Sequence, residues 1–177
     1  MINNNQKQIL SEIYGILHTS IEHYKLYQAF YEESKKPVQT QEEKSLLVLS
    51  ADAHLQMCYL LWCKVFGGRK QDTHYTNVLC IERGDFISEL YKKYGISETE
   101  YTKYVLMMIK FRNEYIAHTR DYANIEVPYF DVAKKAILTL DTILAVNNEY
   151  GIPFGTLEAY LNATDNKYNY YVKKISL

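Results

Sequence analysis

Residues 40–68, TQEEKSLLVLSADAHLQMCYLLWCKVFGG, decide the fold class. Thr40 followed by Glu43 is the pattern of a capping box, which predicts a helix that begins just after Thr40. The pair Gly67-Gly68 predicts its end. Between these points the segment is apolar on nearly every side, as is typical of a helix that lies at the centre of a bundle or faces a partner chain.

Similar signals predict helices on both sides of this segment. Apolar and aromatic residues recur at steps of three and four from about Gln6 to Lys35, and Pro37 ends that pattern. Further start and stop signals predict a short helix capped by Gly84-Asp85 and ending at Tyr94, a helix from Ser97 through His118, a helix over about 131–150 and a short helix near 156–162. Residues 67–77 and 120–128 read as connections, and Tyr168–Val172 is a modest strand candidate.

This pattern predicts an all-α, up-and-down bundle of about five helices. The chain has 177 residues, of which 47% are hydrophobic, and it shows no interdomain linker. We therefore expect a single domain over 1–177. Its core is expected at about 6–150, with a short helix and a Tyr/Lys-rich tail over 151–177.

Composition narrows the classes of function. A formal net charge of -1 argues against a general nucleic-acid coat, although it permits a local basic site. The three cysteines have no CxxC spacing, which argues against a disulfide framework and favours a reducing compartment. The N-terminal residues lack the apolar core of a signal peptide, and no apolar run approaches the ~20 residues of a membrane span. We expect a cytoplasmic protein with no membrane partner, no metal and no other cofactor.

The segment that carries chemistry is Arg112-Asn113-Glu114-Tyr115-Ile116-Ala117-His118. On a helical wheel of about 100° per residue, an arc of roughly 200° is apolar or aromatic except for Arg112 and His118. Burying an unpaired guanidinium is costly, so Arg112 should either pair with a carboxylate or line a cleft that receives an anion. Asp52, a polar exception on the second helix, is the candidate carboxylate.

An Arg and a His in this arrangement suit the cleavage of RNA phosphodiesters. On an ideal helix they lie about 120° apart, so they could flank a groove or meet their copies from a second chain. A neutral His118 can accept a proton from a 2′-hydroxyl or protonate the leaving oxygen, and the Arg112 fork matches a phosphate. Arg120, Tyr115 and Asp52 complete the predicted substrate-binding set. The competing structural interpretation pairs Arg112 with Asp52 or another acid on a neighbouring helix and places His118 on helix-terminal carbonyls.

Arg112-Asn113-x-x-Ile116-Ala117-His118, at the end of an amphipathic helix in a small helical bundle, resembles the HEPN superfamily. The signature of that family is an Arg, often followed by Asn or another polar residue, and a His further on; here five residues intervene. The run that ends Ala-His-Thr-Arg-Asp, together with an apolar helix that ends in Trp62-Cys63-Lys64-Val65-Phe66, looks most like the branch associated with abortive phage infection. The resemblance covers residues 1 to about 150.

The resemblance implies a homodimer in which both Arg112–His118 pairs meet at a cleft on the two-fold axis. It implies metal-independent endoribonuclease activity on RNA, often as a toxin or antiphage effector, and so a possible antitoxin or regulatory protein. The residues of this chain that match the motif of the family are Arg112, Asn113 and His118, and the resemblance implies that Asn113 orients the site or holds phosphate. Arg120 departs from the pattern, because some family toxins have at that place a Tyr that a partner nucleotidyltransferase modifies. Some members act without cleavage, so the alternative is a helical interaction or nucleotide-binding module.

Two other features are weaker candidates. His74 with Asp72 and Cys80 matches no known zinc spacing. The tail interleaves lysines and tyrosines over 167–174, a pattern that can bind single-stranded RNA, although packing back onto the bundle is the favoured interpretation.

Overall fold

The computed structural model describes residues 4–37, 39–68, 70–78, 81–116, 127–146, 151–163, 168, 170 and 172–174. Their regular secondary structure is entirely helical, which confirms the all-α prediction. The helices are α1 (Asn4–Ser34), α2 (Gln41–Phe66), α3 (Tyr75–Val78), α4 (Arg83–Tyr94), α5 (Glu98–Phe111), a π-helical turn (Arg112–Ile116), α6 (Phe130–Val146) and α7 (Leu157–Ala163).

The helix ends that the sequence marks with local signals are confirmed. At the start of α2 the Thr40 hydroxyl accepts the Glu43 N–H at 3.2 Å, and the Glu43 carboxylate accepts the Thr40 N–H. Ser97 and Glu100 form the same reciprocal capping box at the start of α5. Gly95 ends α4 with φ of 70°, a left-handed conformation that glycine adopts without steric cost.

The long helices run antiparallel, as expected of an up-and-down bundle. Along α1 and α2, Ser20 contacts the Cys58 carbonyl and His23 contacts His54, so residue numbers rise on one helix as they fall on the other. Between α2 and α5 the Tyr59 and Phe111 rings pack at 4.8 Å between centroids, and the Cys63 thiol reaches the Met108 carbonyl. α2 is therefore central, with α1 on one side and α5 on another.

The main core draws buried apolar side chains from α1, α2, α4, α5 and α6, with Trp62 fully buried. A smaller cluster lies at the far end of the α1–α2 pair, where Phe30 and Leu47 pack with Tyr168 and Val172 of the C-terminal tail. The tail thus packs back onto the bundle, as favoured from the sequence.

Three local predictions were wrong. The loop expected over 67–77 contains the start of α3, because the His74 ring accepts the Thr76 N–H and so caps that turn. α4 begins after Glu82, whose carbonyl accepts the first helical N–H groups, and not at the Gly84-Asp85 pair. The strand candidate in the tail is helical at its described residues, because Tyr168 and Val172, four apart, bury one helical face. The predicted end of the 131–150 helix lies outside the described residues.

Candidate functional site

The helix that leads into the site changes its geometry at Phe111. α5 buries Tyr101, Tyr104, Met108 and Phe111, as its predicted apolar arc requires. From Arg112 to Ile116 the turn is π-helical, which corrects the expectation of a regular α-helix through His118. A π turn closes i→i+5 hydrogen bonds and places residues differently around the axis, so the separation of about 120° for an ideal helix does not apply. π turns inside α-helices are frequent at functional sites.

Arg112 is half-buried and faces no carboxylate among the described residues. Its Nε and Nη2 atoms both donate to the Asn113 Oδ1 atom, at 3.0 and 2.9 Å. The predicted pairing of Arg112 with Asp52 is therefore absent from this part of the chain. Arginine has five N–H donors, so a fork held by its neighbour through two of them keeps others available for an anion.

The Cys63 thiol reports where the guanidinium lies. Burial raises the pKa of Cys63 to about 11, and the positive charge of Arg112 acts in the opposite direction. Arg112 therefore lies close enough to α2 for its charge to act on a buried group. Because Cys63 is fully buried and its pKa is high, it stays a neutral thiol and is unsuited to be a nucleophile.

Tyr115 and Asp52, two of the predicted substrate-binding residues, do meet. The Tyr115 hydroxyl donates to the Asp52 Oδ2 atom at 3.4 Å, across the contact between the π turn and α2. The Tyr115 ring stacks on Phe111 with centroids 4.6 Å apart, which holds the hydroxyl over α2. Asp52 itself is exposed, so its carboxylate is accessible from solvent as well as to Tyr115.

The other two predicted residues, His118 and Arg120, lie outside the described residues. Their roles stay predictions. The described half of the candidate site is thus an arginine held by Asn113, a tyrosine and an exposed carboxylate on α2. Such a half-site can bind and orient an anionic group, and proton transfer would need His118.

A histidine pair was missed by the sequence analysis. The Nδ1 atoms of His23 on α1 and His54 on α2 lie 2.7 Å apart. Burial is the main cause that lowers the pKa of both rings; Glu22 opposes the shift at His23, and His23 adds to it at His54. The only signal in the sequence was that His54 is a polar exception on α2, and nothing there identified His23 as its partner.

No metal site accompanies these groups within the described residues. They contain no set of three or more His, Cys, Asp or Glu side chains arranged to hold an ion. His74 is buried with its Nδ1 atom 2.8 Å from the Thr76 hydroxyl, which fits a structural role at the start of α3.

α2 carries an exposed apolar stripe opposite its buried face. Leu46 and Leu49 are 65% and 68% exposed, Met57 is 39% exposed, and Ala53 lies between them on the same side. Exposed apolar stripes on helices are typical of surfaces that pack against another element or another chain. By length and composition alone α2 is also apolar enough to cross a membrane, a property that it shares with many core helices.

No protein-family model, curated protein or solved structure matches this chain. The Arg-to-His motif and the geometry around Arg112 therefore carry the functional argument.

Proposed function

We propose that the chain is a homodimeric, HEPN-like endoribonuclease that cleaves RNA without a metal, in the cytoplasm, as a toxin or antiphage effector. The observation that carries the proposal is the state of Arg112. Its guanidinium is oriented by Asn113 and is not neutralised by a carboxylate of the described residues. The competing structural interpretation requires an ion pair there, and Arg112 makes none with Asp52 or with another acid of the described residues.

The proposed reaction needs only an acid, a base and a cation. The 2′-hydroxyl of the substrate attacks the adjacent phosphorus while His118 accepts the 2′ proton, and the 5′ oxygen leaves with a proton from a second acid. We assign that acid to the His118 of a second subunit across the two-fold axis. The products are a 2′,3′-cyclic phosphate and a free 5′-hydroxyl. Arg112 stabilises the charge that develops on the phosphate oxygens.

The stripe on α2 supports the dimer. Leu46, Leu49, Ala53 and Met57 lie on one side of a helix that also contacts the π turn, so a second copy packed on this stripe would bring the two sites near one axis. The same stripe supports the alternative function, a non-catalytic module that binds a regulatory protein such as an antitoxin. Cleavage separates the two, because a pure interaction module leaves RNA intact.

The test is cleavage of total RNA and tRNA in EDTA by the wild type and two variants, Arg112→Ala and His118→Ala. Loss of a preorganised donor costs about 10²–10³ in rate, and loss of a general acid–base costs about 10²–10⁴. Lys110→Ala removes an exposed cation from α5 and should cleave like the wild type. Circular dichroism and sedimentation verify that all variants are folded and assembled. Absence of cleavage by a folded wild-type dimer would refute the catalytic proposal.

Asn113 is a positioning residue in this scheme. Asn113→Asp places a negative charge beside the Arg112 guanidinium and should lower the rate of cleavage. Glu114→Gln replaces a carboxylate of the same turn by an uncharged amide and should not lower that rate. A matching loss in both variants would argue that the turn is merely structural.

A further inference from the structure

The predicted acid–base residue lies on a segment between two described parts of the chain. Residues 117–126 carry His118 and Arg120; they follow the π turn, which ends at Ile116, and lead to Val127. His118 is the second residue of this segment, so the positions of the segment's two ends limit where its imidazole can lie. The contacts made at these ends therefore bear on the proposed acid–base chemistry.

Two tyrosine hydroxyls hold the chain just after this segment. Tyr59 of α2 donates to the Pro128 carbonyl, and Tyr104 of α5 donates to the Tyr129 carbonyl at 2.8 Å. Both tyrosines are buried, and burial raises the pKa of both hydroxyls, so they remain neutral donors at physiological pH. The two carbonyls precede α6, which begins at Phe130, so the tyrosines fix a piece of chain that lies outside regular secondary structure.

Tyr59 also contacts the chain before the segment. Its ring packs against Phe111, the last residue of α5, with centroids 4.8 Å apart, and makes an edge-to-face contact with Phe130 at 5.9 Å. Phe111 in turn stacks on Tyr115 of the π turn at 4.6 Å. A continuous series of ring contacts thus joins the π turn to the start of α6 through one side chain of α2.

We propose that Tyr59 and Tyr104 are positioning residues for His118. They fix Pro128 and Tyr129 against α2 and α5, the two helices that also hold the π turn, and so set the distance that the chain carrying His118 spans. Displacement of a reacting group by about 1 Å can cost about 10²-fold in rate, so support of this kind matters to catalysis. The inference rests on the proposed function, because His118 needs positioning only if the chain cleaves RNA.

The first measurement is amide hydrogen exchange followed by mass spectrometry, which needs no activity. Tyr59→Phe and Tyr104→Phe each remove one hydroxyl and keep the ring. Both should speed exchange in peptides that cover residues 117–127 by about three- to tenfold, as expected for loss of one hydrogen bond. Labelling times are kept short enough that the core of α2 does not exchange, so the change reports local opening and not global unfolding.

Tyr101→Phe is the matched control. Tyr101 is a fully buried tyrosine of α5, the helix that carries Tyr104, and its hydroxyl has no hydrogen-bond partner among the described residues. Removal of this hydroxyl breaks no bond to the chain that precedes α6. Exchange in peptides over 117–127 and the rate of cleavage should both match the wild type.

The second measurement is RNA cleavage in EDTA, under conditions in which circular dichroism shows every protein to be folded. Tyr59→Phe and Tyr104→Phe should each lower kcat by about three- to tenfold and leave KM within about twofold of the wild type. The reason for this split is that the two tyrosines act on the chain that carries His118 and do not contact the substrate.

The outcomes separate failure of this inference from failure of the proposed function. Unchanged exchange in both tyrosine variants would overturn the positioning role, and so would an unchanged kcat in an active enzyme whose exchange over 117–127 has risen. Equal effects in Tyr101→Phe would overturn it too, because loss of any buried hydroxyl would then suffice. If the wild type cuts no RNA while the exchange differences appear, the ribonuclease function has failed, and the role at His118 falls with it.

Discussion

The His23–His54 pair should make the stability of the fold depend on pH. A contact of 2.7 Å between two Nδ1 atoms has room for one proton, so one ring donates and the other must be deprotonated at that atom. Burial lowers the pKa of both rings from the ordinary value of 6.5. Below about pH 6.5 the two histidines of the unfolded chain therefore bind more protons than those of the folded chain. Stability contributed by the pair is complete above about pH 6.5 and is lost as the pH falls below it.

The size of this effect has an upper limit. Each proton that only the unfolded state binds changes the free energy of unfolding by about 1.36 kcal/mol per pH unit, so two histidines give at most about 2.7 kcal/mol per pH unit. Both rings are half-exposed, and solvent screens the repulsion between them. We therefore expect the pair to lower the free energy of unfolding by about 1 to 2 kcal/mol between pH 7 and pH 5.5.

Urea denaturation at several pH values measures this loss. The variant is His23→Ala with His54→Phe, in which alanine gives room and phenylalanine keeps the ring stack on Phe30. Its stability should fall less than that of the wild type as the pH drops. Ser11→Ala, an exposed and non-titrating position of α1 outside the pair, should keep the wild-type difference between pH 7 and pH 5.5. The reasoning is refuted if the wild type and the double variant lose stability equally.

Three further predictions concern assembly and stability. Leu46→Ser with Leu49→Ser should weaken self-association more than a hundredfold in sedimentation equilibrium, because burial of each leucine contributes about 1–2 kcal/mol in each subunit. Val146→Ser, at an exposed position of α6, should leave self-association unchanged. Asp141→Ala should cost about 2–4 kcal/mol in urea denaturation, because its buried carboxylate accepts the Gly155 and Leu157 N–H groups; exposed Asp72→Ala should cost little. Ser97→Ala should cost about 1 kcal/mol through loss of its cap, and Thr99→Ala within about 0.5 kcal/mol.

The parts of the fold that sequence could predict are those set by neighbouring residues. Thr40 and Ser97 cap their helices through groups three positions away, and Gly95 ends α4 through its own backbone, so no distant contact is needed. The cap of α3 was missed because it uses a histidine ring, and His74 does not belong to the usual capping residues. The tail appeared strand-like because its helical face is made by contact with Phe30 and Leu47, far away in the chain.

The candidate site likewise has parts that the sequence could predict and parts that depend on contacts distant in the chain. The buried face of α5 followed from its apolar arc, and that arc placed Arg112 and Tyr115 on the packed side of the helix. The pairing of Tyr115 with Asp52, and the absence of an Arg112–Asp52 ion pair in the described part of the chain, depend on where α2 lies. A wheel drawn at a constant angle also could not show the π turn, because that turn changes the angle itself.

The π turn has a consequence for how this chain could change over evolution. A π turn holds one more residue than the α-helical turn that it replaces, and such turns are understood as local insertions. Deleting one residue within 112–116 would restore the α-helical repeat and keep the following chain in phase with α5, but it would remove or displace a side chain of the candidate site without touching the core that α5 builds. Loss of a single codon could therefore leave the helical bundle intact and remove the candidate site. A chain one residue shorter could then keep the fold without the site.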